Sequence, residues 1–223
     1  MSPYALAWAL SLALGCGPRG LSAEPGQCSP VLPLEEVGAA WEYDYESPEE
    51  GVWWGELAQL VEGPDSYDGV EVQALAQSSA IEHQWGGRDE DESTLWLQCQ
   101  ADGWHLLASH SNRRSWGKSG TKSRHEVDTV YPEAPLVAPA RFEVGDTWQV
   151  DRRRESTIGD ETYELEETLT YEVTGFDKVE VPAGEFHAFV VSVYEVPNEG
   201  WSEYWVEDVG VVQGRYTKLR SYE

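Results

Sequence analysis

The chain is short of positive charge, of thiols and of catalytic spacing. Only 15 of its 223 residues are Lys or Arg, against 41 Asp and Glu, which leaves a formal charge of −26. So acidic a surface repels phosphate backbones and anionic headgroups, whose binding depends on basic neutralisation, and nucleic acid is excluded as a partner. The three cysteines form no Cys-x-x-Cys, and the five histidines form no His-Glu-x-x-His or i, i+2 pair, so no metal site is expected. No serine sits in a Gly-x-Ser-x-Gly elbow, and no spacing singles out one of the 41 acids as a catalytic group. The acidic run RDEDES lacks the residue order of a calcium loop and reads as solvated loop. These absences point to a non-enzymatic protein without a cofactor. Residues 4–14 (YALAWALSLAL) are too few for the ~20 apolar residues that cross a bilayer, but they have the length of a signal-peptide h-region.

That run ends in LALGC, which resembles the lipobox of bacterial lipoproteins. The resemblance implies a signal peptide over residues 1–15 and a lipid on Cys16, hence an extracytoplasmic protein anchored to a bacterial membrane. A rival cut after Ala23 would release it as a secreted soluble protein. Either route leaves Cys28 and Cys99 in an oxidising compartment, where a disulfide between them is the natural expectation. Residues 16–36 (from CGPRGLSAEPGQ onward) are rich in Gly, Pro and Ser and read as a flexible tether or extended arm, with the fold beginning near Val37.

From Val37 onward, strand-length segments alternate with Gly, Pro and Asp, and no long window carries a 3.6-residue apolar stripe, so the class is all-β. Antiparallel meanders in a curved sheet or sandwich are expected. The segment VGAAWEYDYES aligns with VGDTWQVDRRRES through Val-Gly-x-x-Trp, each after a Pro-rich lead, and later features keep their order. Two similar halves follow, over residues 37–135 and 136–223. Asp102-Gly103 reads as a two-residue type I′ hairpin that sets Cys99 opposite Leu106 and Leu97 opposite Ala108. Pro182-Ala183-Gly184 reads as a hairpin turn needing positive φ at Gly184, not as a functional loop. Residues 112–125 (NRRSWGKSGTKSRH) hold five of the 15 bases and read as a solvated loop, with docking on an acidic partner or on the protein's own acidic face as the rival.

The second half, through APARFEVGDTW, VEVPAGEFHAFVVSV and YWVEDVGVVQ, resembles a widespread family of uncharacterised exported bacterial β-rich proteins. Their pattern is a Gly-x-Trp entry strand, a Val-Pro-Ala-Gly-x-Phe hairpin and a closing Trp with Gly-Val. The resemblance implies a β architecture and an envelope location, with a general likeness to curved-sheet lipoproteins that carry apolar ligands.

Ten of the 11 tryptophans follow the signal segment. Indoles brace sheets whose two faces are covered, and they also line binding surfaces. Trp53, Trp54, Trp96, Trp104 and Trp205 are the candidates for contact with an apolar, glycan or protein ligand. Trp53 and Trp54 must point to opposite faces of their strand. Two functions remain in view: a binding or carrier module, and a structural or assembly protein that holds protein partners of the envelope.

Overall fold

The computed structural model describes residues 20–24, 27–46, 53–195 and 200–223. Cys16, the expected acylation position, lies outside them. Among the described residues there are only strands: β1 (Gly20–Ser22), β2 (Ala40–Glu46), β3 (Trp53–Tyr67), β4 (Val70–His83), β5 (Arg88–Gln100), β6 (Gly103–Trp116), β7 (Lys122–Val130), β8 (Leu136–Pro139), β9 (Arg141–Glu143), β10 (Thr147–Ile158), β11 (Glu161–Val181), β12 (Gly184–Glu195), β13 (Trp201–Val206), β14 (Gly210–Gln213) and β15 (Thr217–Tyr222). Each of β2 to β7 and β10 to β15 pairs antiparallel with its neighbours. Pairing of β5 with β6, β7 with β10 and β15 with β2 closes these twelve strands into a barrel. Closure removes the sheet edges that an open meander would expose.

Alternation decides what each face sees. The outer face carries cross-strand ion pairs, among them Arg220 with Glu42 and Glu56, Arg88 with Glu82 and Glu90, and Arg153 with Glu155 and Glu164. The inner face is apolar at one end, where Val61, Leu75, Leu97, Val173, Val191, Trp205 and Leu219 are buried. A barrel of about eight strands is filled by its own side chains, and one of twelve is wider. Here the apolar end is filled by the N-terminal arm, whose Cys28, Val31 and Leu34 join the core, and by Phe142 of β9.

The stretch expected as a tether is therefore, from Gly20 on, part of the fold. β1 pairs with β9. Ser29 Oγ donates to Pro139 O at 2.9 Å, Trp104 Nε1 donates to Leu32 O at 3.0 Å, and Cys28 is bonded to Cys99 with 5.6 Å between their Cα atoms. Low hydrophobicity misleads here because a few apolar side chains (Val31, Leu34) suffice once a wide barrel end needs filling.

The two halves place their strands alike, β2 to β7 against β10 to β15. Gly38 N–H donates to Val61 O at 2.9 Å, and Gly145 N–H donates to Val173 O at 2.8 Å. Val61 N–H donates to Ala39 O at 2.9 Å, and Val173 N–H donates to Asp146 O at 2.9 Å. Register shifts fall between Val61 and Gly63 in β3 and between Val173 and Gly175 in β11, then between Trp96 and Leu97 in β5 and between Tyr204 and Trp205 in β13. The Pro-rich leads are exchanged: Pro30 O accepts from Asp208 N–H at the β13–β14 turn, and Ala140 N–H donates to Asp102 O at the β5–β6 turn.

Two segments expected as loops are strands. RDEDES lies in β5 and NRRSW in β6, and Asp91 stands opposite Arg113 and Glu90 opposite Arg114. Opposite charges on adjacent strands support pairing, so the basic run docks on the chain's own acidic strand, leaving residues 117–121 as the turn. The β5–β6 register also differs from expectation. The turn residues are Ala101 and Asp102, with Gly103 already in β6 at φ 138°, so Cys99 faces Trp104, Leu97 faces Leu106, and a bulge then puts Trp96 opposite Ala108. Ala138 O and the Pro139 Cα sit where a Cβ on residue 103 would be, which favours glycine at the strand start.

Candidate functional site

Above the apolar plug the inward-facing side chains change character. Three rings gather at the β2–β3–β15 wall: Trp53 lies 6.0 Å from Tyr45 and 5.6 Å from Tyr216, centroid to centroid. The Arg215 guanidinium sits 4.7 Å over the Trp201 ring and 5.0 Å over Tyr216, a cation–π arrangement, and lies 3.8 Å from the Glu195 carboxylate. These rings are half-buried. In a closed barrel an inward-facing ring keeps exposure only where the interior at its level is left open.

Glu203 is the centre of the second wall. Trp201, Glu203 and Trp205 alternate on β13 and share the inner face. Trp201 Nε1 donates to Glu203 Oε1 at 3.0 Å, and Trp205 Nε1 donates to Oε2 at 2.9 Å. Loss of hydration pushes the Glu203 carboxyl above its ordinary range, and the two indole bonds and the Arg152 charge only partly offset that. Tyr171, beside it, is pushed up to about 12 by burial, with the Glu203 charge adding to the shift. Tyr171 stacks on Trp148 at 5.2 Å, and Trp148 approaches Trp205 at 6.0 Å.

The register equivalence of the two halves sets Leu95 of β5 where β13 has Glu203, since Leu95 pairs with Leu75 and Glu203 with Val191. The fold accepts a leucine there, so the barrel does not require the carboxylate.

The first half lines the interior differently. Gln59, Gln77 and Ser93 face inward in one cross-strand row, with Ser79, Ser109 and Ser111 nearby on the same face. Gln59 Nε2 donates to Gln77 Oε1 at 3.1 Å, and Ser111 Oγ donates to Asp91. Near the rim, burial opposes the charge of Asp89. Hydrogen bonds from Ser115, Arg113 and His83 outweigh it, and the pKa is lowered.

The five candidate tryptophans do not meet at one place. Trp53 belongs to the inner aromatic wall. Trp54, its neighbour, is half exposed on the outer face. Trp96 is also outside, stacked 5.1 Å from Tyr67 with its Nε1 donating to Asp65 Oδ2 at 2.9 Å. Trp104 and Trp205 are core residues at 2% and 3% exposure, and only the Trp205 N–H reaches the site, through Glu203. Sequence reasoning missed Glu203, Tyr171, Trp201, Arg215 and Tyr216. The Trp-x-Glu-x-Trp alternation at 201–205 was the available signal, because period two puts the acid on the same face as both indoles.

Elsewhere a shallow trough of about 590 Å³ crosses the outer face of β2 to β6 over Ala40, Ala58, Ala76 and Ser78, between Glu42 and His110. Among the described residues no three His, Cys, Asp or Glu side chains come together to hold a metal ion. Compared with models of known protein families, with curated proteins and with solved structures, the chain matches none.

Proposed function

We propose that this chain is a non-enzymatic, extracytoplasmic binding or carrier module, held to a bacterial membrane through lipid on Cys16, that takes its ligand into the open end of the barrel. The observation that carries the reading is the division of the interior. One end is plugged and pinned by the disulfide. The other carries half-buried rings and polar groups on its inner face. Binding sites combine concavity, aromatic lining and a few placed polar groups, and the last two share the inner face of a closed barrel here. Trp53 is the member of the original tryptophan set that the reading retains; Trp54 and Trp96 face away from this interior, and Trp104 and Trp205 support it from beneath.

The test is to isolate the full chain from the membrane fraction of its native host under non-denaturing conditions and identify what accompanies it by mass spectrometry. A small molecule at near one-to-one ratio, lost in Trp53→Ala, is the expected result. A stoichiometric protein partner with no small molecule would favour the assembly reading.

A further inference from the structure

Which ligand chemistry the interior suits follows from its two walls, and the inference rests on the carrier reading above. We propose that the ligand is a neutral oligosaccharide, seated in the barrel interior against the hydroxyl and amide groups of β3 to β6 and the aromatic rings of β2, β3, β13 and the β14–β15 turn.

The first wall offers groups that both donate and accept. Ser79, Ser93 and Ser109 are half-buried, and among the described residues their hydroxyls have no protein partner. A hydroxyl on a desolvating surface must find a partner in water or ligand. Sugar hydroxyls, which donate and accept in turn, are such a partner. An acyl chain is not: it would strip water from these serines and from Gln59 and Gln77 while returning no hydrogen bond. The general likeness to carriers of apolar ligands therefore does not extend to this lining.

The inward-facing rings supply flat apolar surface with polar edges. Trp53, Tyr45 and Tyr216 form one platform, and Trp201, under Arg215, continues it. Ring faces suit the C–H faces of a pyranose, and indole or phenol edges suit its hydroxyls.

Charge argues against an anionic ligand. Four of the inward-facing acids lie near a protein cation: Asp89 with Arg113 at 3.0 Å, Glu167 with Arg154 at 3.7 Å, Glu195 with Arg215 at 3.8 Å, and Glu203 with the nearby Arg152 charge. Asp91, on the same face, accepts from Ser111 Oγ and stands opposite Arg113, and the formal charge of −26 repels anions at a distance.

The experiment uses the full purified chain and three sets of probes: neutral hexasaccharides (malto-, cello- and chito-), hexagalacturonate and palmitate. Binding is read by calorimetry and by tryptophan fluorescence. At least one neutral hexasaccharide should bind and perturb the fluorescence. Combined Ser79→Ala, Ser93→Ala and Ser109→Ala should weaken it about tenfold or more, and the outer-face control Glu42→Gln should leave it unchanged. Circular dichroism melts confirm that each variant is folded, and Trp53→Phe, which keeps a ring, should bind between wild type and Trp53→Ala. Preferential binding of palmitate or hexagalacturonate, or wild-type affinity in the triple serine variant, would overturn the proposal. So would silence of all three neutral sugars. If a different small molecule then accompanies the native protein, the carrier reading survives without the sugar; if none does, both fall.

Discussion

Trp201, Glu203 and Trp205 stand at alternate positions of one strand, and that spacing makes a carboxylate share a face with two indoles. Among 41 acids nothing in composition distinguishes this one; its neighbours do, because a carboxyl bracketed on its own face by tryptophans loses water. The raised pKa of Glu203 has a definite consequence for stability. The folded state holds the proton to higher pH than the unfolded chain, whose glutamates titrate near about 4.3. The native state thus binds more protons than the unfolded state between the two values, and the contribution of this group to stability is full below the ordinary glutamate range and is lost as pH rises through the folded pKa. Urea midpoints measured across pH 4 to 8 for wild type and Glu203→Gln should therefore diverge, with wild type losing ground to the variant as pH rises through that window. Parallel curves would show that Glu203 titrates as an ordinary surface acid. The unfolded-state charge common to both proteins cancels in this comparison.

At the level of strands and turns, the class and the Pro182-Ala183 turn were legible because Gly, Pro and Asp punctuate the chain with local chemistry, while the β5–β6 turn falls one residue earlier than Asp102-Gly103 suggests. Pro182 and Ala183 form the turn, Val181 pairs with Gly184, and Gly184 takes φ 135°. No atom lies within 4 Å of the place a Cβ would occupy on Gly184, so Gly184→Ala should cost only the backbone strain, about 1–3 kcal/mol. Ala183 is a less tolerant position than a free loop residue: its N–H donates to Leu219 O at 3.0 Å and its side chain packs against the core. A lowered urea midpoint for Gly184→Ala with ligand binding intact is the expected outcome, and lost binding at an unchanged midpoint would make the turn functional. Strand register was less legible, since each bulge shifts the faces by one residue without a strong sequence mark. Gly63 and Gly175 are clues only once the halves are aligned. The charged ends of β5 and β6, RDEDES and NRRSW, read as loops because each alone is polar; their complementarity appears only when the two are laid side by side.

The whole molecule combines a repeat with an asymmetry. Matching hydrogen bonds and bulges in β2 to β7 and β10 to β15 favour descent from a duplicated six-strand unit, which we put forward as the origin of the closed barrel. Closure itself was not legible, because it depends on two seams between distant segments, β7 with β10 and β15 with β2. The leads make the halves interdependent: each reaches the other's hairpin turn, while the first is also held to its own half through Cys99 and Trp104. The disulfide adds a restraint on one lead alone, linking Cys28 of the buried arm to Cys99 beside the β5–β6 turn across 71 residues of sequence. Loop-closure entropy for that span is worth about 4 kcal/mol in the unfolded chain. Cys99 is exposed although Cys28 is buried, so a thiol reductant can approach the bond from the Cys99 side. Reduction should lower the urea midpoint and, because the arm fills the apolar end, should raise hydrogen exchange first in residues 28–34 and in β8, ahead of the β11–β12 hairpin. A Cys28→Ser, Cys99→Ser double variant should reproduce both effects without reductant. If the variant instead kept the wild-type midpoint and exchange pattern, packing of Val31 and Leu34 alone would hold the arm, and the disulfide would be dispensable to the plug.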